Sequence, residues 1–282
     1  MLENAKKIID KAYQNKYALC QFNINNLEWT RYILEECQQN NAPVILGVSN
    51  GAAKYMGGFH TVSSLVSSLI KDLRITIPVI LHYDHGDSLE NCQKAIDAGF
   101  TSVMIDASQY EIDKNIAITK SVVDYAQPKV IVEAEVGHIG GEEDDVIADI
   151  YYAKVDDAIR LTKEANIDLL APALGNVHGL YKGEPKLNFT RMKEINDKIE
   201  IPLVLHGGTG IYDQQIKKAI NLGISKININ TELQIAWSKA VRVFLEKNPK
   251  VYDPRKIIQA GEAAIKECVR EKLILTGSAN QA

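Results

Sequence analysis

No two cysteines in this chain form a C-x-x-C pair, and the four present (Cys20, Cys37, Cys92, Cys268) fall at wide, irregular intervals. That spacing gives no cysteine metal knuckle and no dithiol redox motif, and the expectation is reduced thiols packed in the interior. No run reaches 18 consecutive apolar residues, so no membrane-spanning helix is expected. Residues 1–14 read as a charged amphipathic helix without the apolar region of a secretory signal, and the expectation is a cytoplasmic protein. Basic blocks are lacking too. With a formal net charge of -4, neither a nucleic acid nor a membrane surface is an expected partner. No Pro/Ser-rich linker or low-complexity tract divides the 282 residues, and the 46% hydrophobic content can supply one substantial core.

What the chain does contain is an internal repeat. Ile77–Asp106 aligns with Ile201–Asn230 without a gap at ten identities in thirty positions. Each copy runs from an apolar segment through a polar loop opening on His to an amphipathic segment, a Gly and a second apolar segment, a strand–helix–strand unit used twice. Along the whole chain, eight apolar runs bounded by turn residues are strand candidates: Tyr17–Phe22, Pro43–Val48, Val79–His82, Ser102–Asp106, Lys129–Glu135, Asp168–Ala173, Pro202–His206 and Lys226–Asn228. Helical patterns lie between them, among them Leu27–Gln39, Leu89–Ala98 and Asp156–Ala165. Alternating strands and helices call for parallel strands with crossover helices. Eight such units in a chain of this length favour a single (β/α)8 TIM barrel, followed by a C-terminal helical extension over about residues 253–275. An open doubly wound sheet is the alternative, because strand order is not written in the sequence. After the fifth strand, a polar, glycine-rich stretch from Gly137 to Asp145 has the length of a lid or binding loop, with a surface excursion as its plainer reading.

In a parallel barrel the carboxyl ends of the strands form the working face. Here those ends carry Asn23, Ser49, Asp84 with His85, Asp106, Glu135, His178, His206 and Asn228, one polar position or pair per strand. Three neutral imidazoles near carboxylates suit Zn²⁺ or a similar divalent cation with a position left open for substrate, and His85, His178 and His206 are the candidate ligands. His82 competes with His85, since the repeat pairs it with His206; lying two residues before Asp84 on the same face, it reads as a packing or supporting residue. The loop Gly207-Gly208-Thr209-Gly210 and the Asn230-Thr231 step that opens the eighth helix supply backbone amides for a phosphate, and Lys182 in the loop after strand six suits the same anion. Lys226 points inward with Asn228, either as a Schiff-base lysine or as a buried counter-charge for Glu133; the counter-charge is favoured.

At these residues the chain resembles the class II, metal-dependent fructose-bisphosphate aldolases. The likeness is carried by QFNINN (21–26), VILGVSNGAAKY (44–55), HYDHG (82–86), GFTSVMIDAS (99–108), VEAEVG (132–137), GGEED (140–144), LAPALGNVHGLYKGEPKL (170–187), LVLHGGTGI (203–211), KININTE (226–232), YDPRK (252–256) and the terminal GSANQA. It implies reversible cleavage of fructose 1,6-bisphosphate to dihydroxyacetone phosphate and glyceraldehyde 3-phosphate. It also implies a catalytic Zn²⁺ on His85, His178 and His206, a second metal position at Asp106 and Glu135, and a monovalent cation near the phosphate. In the implied roles, Asp84 exchanges a proton with the aldehyde oxygen and Glu143, on the loop after strand five, handles the proton at the ketose carbon. Gly179, Gly207, Gly208, Thr209, Asn228, Asn230 and Thr231 hold dihydroxyacetone phosphate with Asn23, Ser49 and Lys182, and Arg255 takes the far phosphate. A homodimer or homotetramer is implied as well. Tyr83, Asp87, His138 and Leu180 depart from the usual pattern, and Asp87 beside the metal loop is expected to shift metal affinity or the proton donor. The nearest rival is tagatose-1,6-bisphosphate aldolase, which shares nearly all of these motifs. A metal-dependent hydrolase would want two His one apart on the first strand, where Gln21 and Asn23 stand, and a non-catalytic phosphosugar-binding barrel would show lost ligands.

Overall fold

The computed structural model describes residues 2–143, 146–148, 151–181 and 183–282, with the side chains of 142, 143 and 146–148 left aside. Eight parallel strands close into a barrel: β1 (Leu19–Asn23), β2 (Val44–Val48), β3 (Val79–Gly86), β4 (Ser102–Ile105), β5 (Ile131–Val136), β8 (Leu169–Pro172), β10 (Leu203–Leu205) and β11 (Ile224–Ile229), each paired with the next and β11 with β1. A helix follows each: α2 (Leu27–Gln39), α4 (Phe59–Asp72), α5 (Leu89–Asp97), α6 (Ile112–Ala126), α7 (Val155–Ala165), α8 (Phe189–Ile199), α9 (Asp213–Asn221) and α10 (Thr231–Lys247). The fold is therefore the (β/α)8 barrel expected from the alternation, and closure rules out the open sheet. Several helices start where a side chain can take up an orphan backbone donor: Asn26, Ser88 and Asn188 cap α2, α5 and α8 by accepting from the amides of Trp29, Asn91 and Arg191.

The period-2 alternation of strand side chains sorts the barrel interior into layers. Leu19, Ile45, Ile80, Ile131, Leu169 and Val204 form an apolar floor, sealed from below by Ala5, Ile9 and Ala12 of α1 (Ala5–Asn15). Two residues further along four of these strands come Gln21, His82, Glu133 and His206, with Lys226 of β11 beside them, all fully buried. Two further still come Asn23, Asp84, Glu135 and Asn228, at the mouth. A polar middle layer is unusual in a barrel core, because each buried group needs a partner to repay its lost hydration.

Three elements differ from the expected boundaries. Strand β3 runs four residues past His82 to Gly86, because its pairing with β4 resumes after a register shift between Tyr83 and Gly86. The stretch after β5 forms β6 (Gly140–Glu143), antiparallel to β7 (Val146–Ala148), and β6 lies beside β9 (Val177–His178). The last helical stretch is two helices, α11 (Pro254–Gln259) and α12 (Glu262–Leu275); the Trp237 indole donates to the Ile258 carbonyl at the break (3.2 Å). Helix α12 returns across α2 through Lys266–Glu35 (2.7 Å) and Arg270–Glu36 (2.8 Å).

Candidate active site

At the mouth, the three imidazoles singled out from sequence meet. His85 stands edge-on to His178, with ring centroids 4.8 Å apart at 90°, and to His206 at 4.7 Å and 82°. One nitrogen from each of the three lies within 4.8 Å of the others, and His85, Asp106 and Glu135 form a second group at the same separation. For two of the rings, partners on the far side decide which nitrogen faces the centre. His206 donates from Nε2 to Glu133 Oε1 (2.8 Å), and His85 donates from Nδ1 to Asp106 Oδ2 (3.1 Å). That turns Nδ1 of His206 and Nε2 of His85 toward each other, 3.0 Å apart, at the centre of the three rings. Burial lowers the pKa of both His178 and His206, so both rings are neutral at neutral pH, the form that binds a metal. The residues fit a divalent cation.

Glu133 is the hinge of the buried layer. Its Oε2 accepts from Lys226 Nζ (2.7 Å) while Oε1 holds His206. Burial pushes its pKa up, but Lys226 and His206 outweigh burial and bring it down to about 2. The Lys226–Glu133 pair preferred over a Schiff-base lysine is thus formed, and the ammonium is enclosed. His82 does not enter the metal group: its Nδ1 meets Ser102 Oγ at 2.7 Å, and burial, with Lys226, pulls its pKa to about 3.

Asp84 lies at the centre of the mouth, gripped by amides. Gln21 Nε2 (2.8 Å) and Asn23 Nδ2 (3.2 Å) donate to Oδ2, and Asn228 Nδ2 (3.2 Å) donates to Oδ1. Burial raises its pKa, but His85, His206 and Lys226 together hold it below the usual carboxylate range. Glu135 differs. Burial and the neighbouring Asp106 drive its pKa well above the ordinary value, although Ile139 N donates to Oε1 at 3.0 Å.

Beside this centre is a pocket lined by Asn23, Asp84, His178, Gly179, His206, Gly207, Thr209, Asn228, Asn230 and Thr231, every one singled out from sequence. Part of its wall is glycine backbone, at Gly179 and Gly207, with Gly208 behind. Gly207 has φ +62°, and Gly208 lies so close to Ile227 Cγ2 and Asn228 O that an added Cβ would stand 2.7 and 2.9 Å from them. The N-terminus of α10 opens on the pocket with Asn230 at its cap position, making no side-chain cap bond. Glycine backbone beside a helix N-terminus favours an anion, although the Gly208 amide is already given to Asn228 O (3.1 Å).

Other predicted residues lie elsewhere. Ser49 caps α3 (Asn50–Tyr55) by accepting from Ala52 N (3.3 Å) and does not line the pocket. Arg255 does not line it within one chain; its side chain is 88% exposed and holds Asp253 at 2.9 Å. Lys182 and the Glu143 side chain lie outside the described residues, though the β6 backbone bearing Glu143 flanks the His178 strand. Asp87 turns away from the metal group to accept from Asn50 Nδ2 (2.5 Å) and Asn91 Nδ2 (2.8 Å). His138 meets Ser108 Oγ (2.8 Å), and Leu180 is exposed. Sequence reading missed two supports. Glu133 as the partner of His206 was legible in principle, lying two residues before Glu135 on one strand face. Tyr181, whose hydroxyl donates to Gly207 O (3.2 Å) and accepts from Val177 N (3.3 Å), had no signal, because loop conformation alone creates the contact.

Barrel and site together define an enzyme that can hold a divalent cation between three histidines beside an anion cradle. The chain matches the family model described as fructose-bisphosphate aldolase class-II over residues 3–281. It is 56% identical over 283 residues to the fructose-bisphosphate aldolase of Geobacillus stearothermophilus, covering 100% of this chain and 99% of that protein, and equally so to that of Staphylococcus aureus. Among solved structures it superposes on the YdjI aldolase from Escherichia coli K12 with TM-score 0.85 at 35% identity, covering 99% and 98% of the two chains. On the fructose-bisphosphate aldolase of Campylobacter jejuni the TM-score is 0.81 at 25% identity, with 98% and 95% covered. The chain belongs to the class-II fructose-bisphosphate aldolase family, and it is a lyase.

Proposed function

We infer that this protein reversibly cleaves fructose 1,6-bisphosphate into dihydroxyacetone phosphate and glyceraldehyde 3-phosphate, with zinc as its metal. The observation that carries this reading is the convergence of one nitrogen from each of His85, His178 and His206 within 4.8 Å of one another, beside the buried Asp84 carboxylate and a pocket part-walled by glycine. His178 completes the ligand set, and Asp106 and Glu135 with His85 offer a second cation position. Zinc bound there supplies a Lewis acid for the ketose carbonyl oxygen, stabilising the negative charge left when the bond between C3 and C4 breaks.

The chain's own groups do the rest. Asp84, ionised and held by three amides, takes the proton from the C4 hydroxyl as the aldehyde forms and returns it in the synthetic direction. The Gly207 and Thr209 amides, Gly179 and the start of α10 bind the phosphate next to C1, with Asn23, Asn228, Asn230 and Thr231 around the triose. Asn230 Oδ1, buried without a hydrogen-bond partner, is a ready ligand for a monovalent cation beside that phosphate. Glu143 handles the proton at C3 from its hairpin, Lys182 and Ser49 assist at the phosphate end, and Arg255 is the candidate for the far phosphate. The assembly is a homodimer or homotetramer in the cytoplasm, for which exposed Ile235, Val243 and Leu245 on α10 are interface material. No helix among the described residues is long and apolar enough to cross a membrane.

The deciding experiment measures cleavage of fructose 1,6-bisphosphate and tagatose 1,6-bisphosphate in parallel, with and without a chelator. Fructose cleavage that chelation abolishes and zinc restores is the expected result, with the epimer ratio at least tenfold toward fructose. Activity surviving chelation would return Lys226 to contention, and failure of metal-loaded protein on both sugars would leave a binding barrel.

A further inference from the structure

His85 occupies the left-handed backbone region, φ +48°, which few residues other than Gly adopt. It does so inside the stretch where the β3–β4 register shifts, between Tyr83 and Gly86. Such a conformation persists only where the surroundings over-determine it. Asp106 fixes the His85 ring, but a contact to the imidazole does not hold the backbone that carries it.

The residues on either side of the strained turn are joined by a side chain from another element. The Tyr83 ring is fully buried, stacked edge-on against Phe59 with centroids 5.0 Å apart, and its hydroxyl donates to Asn50 Oδ1 at 2.7 Å. The other end of the same amide, Asn50 Nδ2, donates to Asp87 Oδ2 at 2.5 Å. The second oxygen of Asp87 accepts from Ser88 Oγ (2.9 Å) and Asn91 Nδ2 (2.8 Å), so its carboxylate is anchored to the first turn of α5. Asn50 is the first residue of α3, which follows β2, the strand next to β3. A closed loop of side chains therefore brackets the four-bond step from Tyr83 to Asp87, with Asp84 and His85 inside it.

We propose that Tyr83, Asn50 and Asp87 are positioning residues that hold the His85 backbone turned toward the metal position. The proposal rests on the reading of His85 as a zinc ligand. Because the clasp touches neither ligand nitrogen, loosening it lets the turn relax and costs metal affinity through geometry rather than through a lost ligand.

The test is the zinc dissociation constant, read by competition with a chromophoric chelator, for wild type, Asn50→Ala, Asp87→Ala, the double variant and Tyr83→Phe. The last removes a single hydroxyl and so guards against misfolding. Expected are a roughly tenfold weaker zinc affinity in each single variant and a double variant no worse than the larger single, because the two side chains act as one link. The metal-free proteins should keep their unfolding midpoint within about 4 °C. Unchanged zinc affinity in the variants, or additive losses that follow the unfolding midpoint, overturns the clasp and leaves the zinc reading intact. A wild-type protein that takes up no zinc overturns both.

Discussion

The two copies of the internal repeat end in opposite kinds of chemistry. In the first, the positions after the shared His carry side chains: Tyr83, Asp84 and His85. In the second, the same positions are Gly207, Gly208 and Thr209, and the functional surface is backbone. The His that opens each loop shows the difference most sharply. His82 and His206 are equivalent in the repeat and both fully buried. Yet His206 has Glu133 behind it and reaches the metal group, while His82 is tied to Ser102 and stays out. A duplicated unit keeps its strand and helix because those follow from periodicity; what it does with one position depends on the neighbours the barrel brings alongside.

Replacing the two histidines in turn puts that contrast to its hardest test. His206→Ala should lose stoichiometric zinc and about 10⁴-fold in kcat/KM, equivalent to about 5 kcal/mol. His82→Ala should keep its zinc and instead lose about 1–3 kcal/mol of stability, since the Ser102 hydroxyl forfeits its buried partner. Metal analysis beside urea unfolding reads both, and equal loss of zinc in the two proteins would erase the distinction.

The buried pair beneath His206 comes next. Lys226→Met leaves Glu133 without its ammonium and should cost about 3–5 kcal/mol, while borohydride traps no imine in the wild type. Glu133 has a folded pKa near 2, below its unfolded value, so its stabilisation is full above the unfolded carboxylate range and fades as pH falls toward 2. Lys226 also helps hold Asp84 down, so a shallower acid loss in the Met variant reads the loss of its charge on both carboxylates, Glu133 foremost, whereas Asp106 contributes acid sensitivity to both proteins. Identical pH profiles would mean that Lys226 governs neither Glu133 nor Asp84.

The smallest effect belongs to the glycine loop. Gly207→Ala asks an L residue to adopt φ +62° with its Cβ pressed against the Val177 carbonyl, at about 1–3 kcal/mol. KM for the bisphosphate should rise severalfold while zinc content holds. A variant with wild-type KM would argue that the amides of this loop do not face the phosphate.

Much of the molecule is legible in its sequence. The eight strands, most helices and all ten pocket residues follow from hydrophobic period, from turn residues and from resemblance, because these are local properties or properties of a shared pattern. Other features have no local signature. The extension of β3 to Gly86 comes from pairing with β4, the linkage of loops by Tyr181 from loop conformation, and the exclusion of His82 from which strand lies next to it. Arg255 matched its motif yet lies exposed on α11, away from the pocket of its own chain. Sequence by itself determined the barrel and the list of groups at its mouth. Only the tertiary structure decided which nitrogen of His206 and of His85 meets a carboxylate and which turns to the centre, because that choice is made by Glu133 and Asp106, residues brought into contact from 73 and 21 positions away.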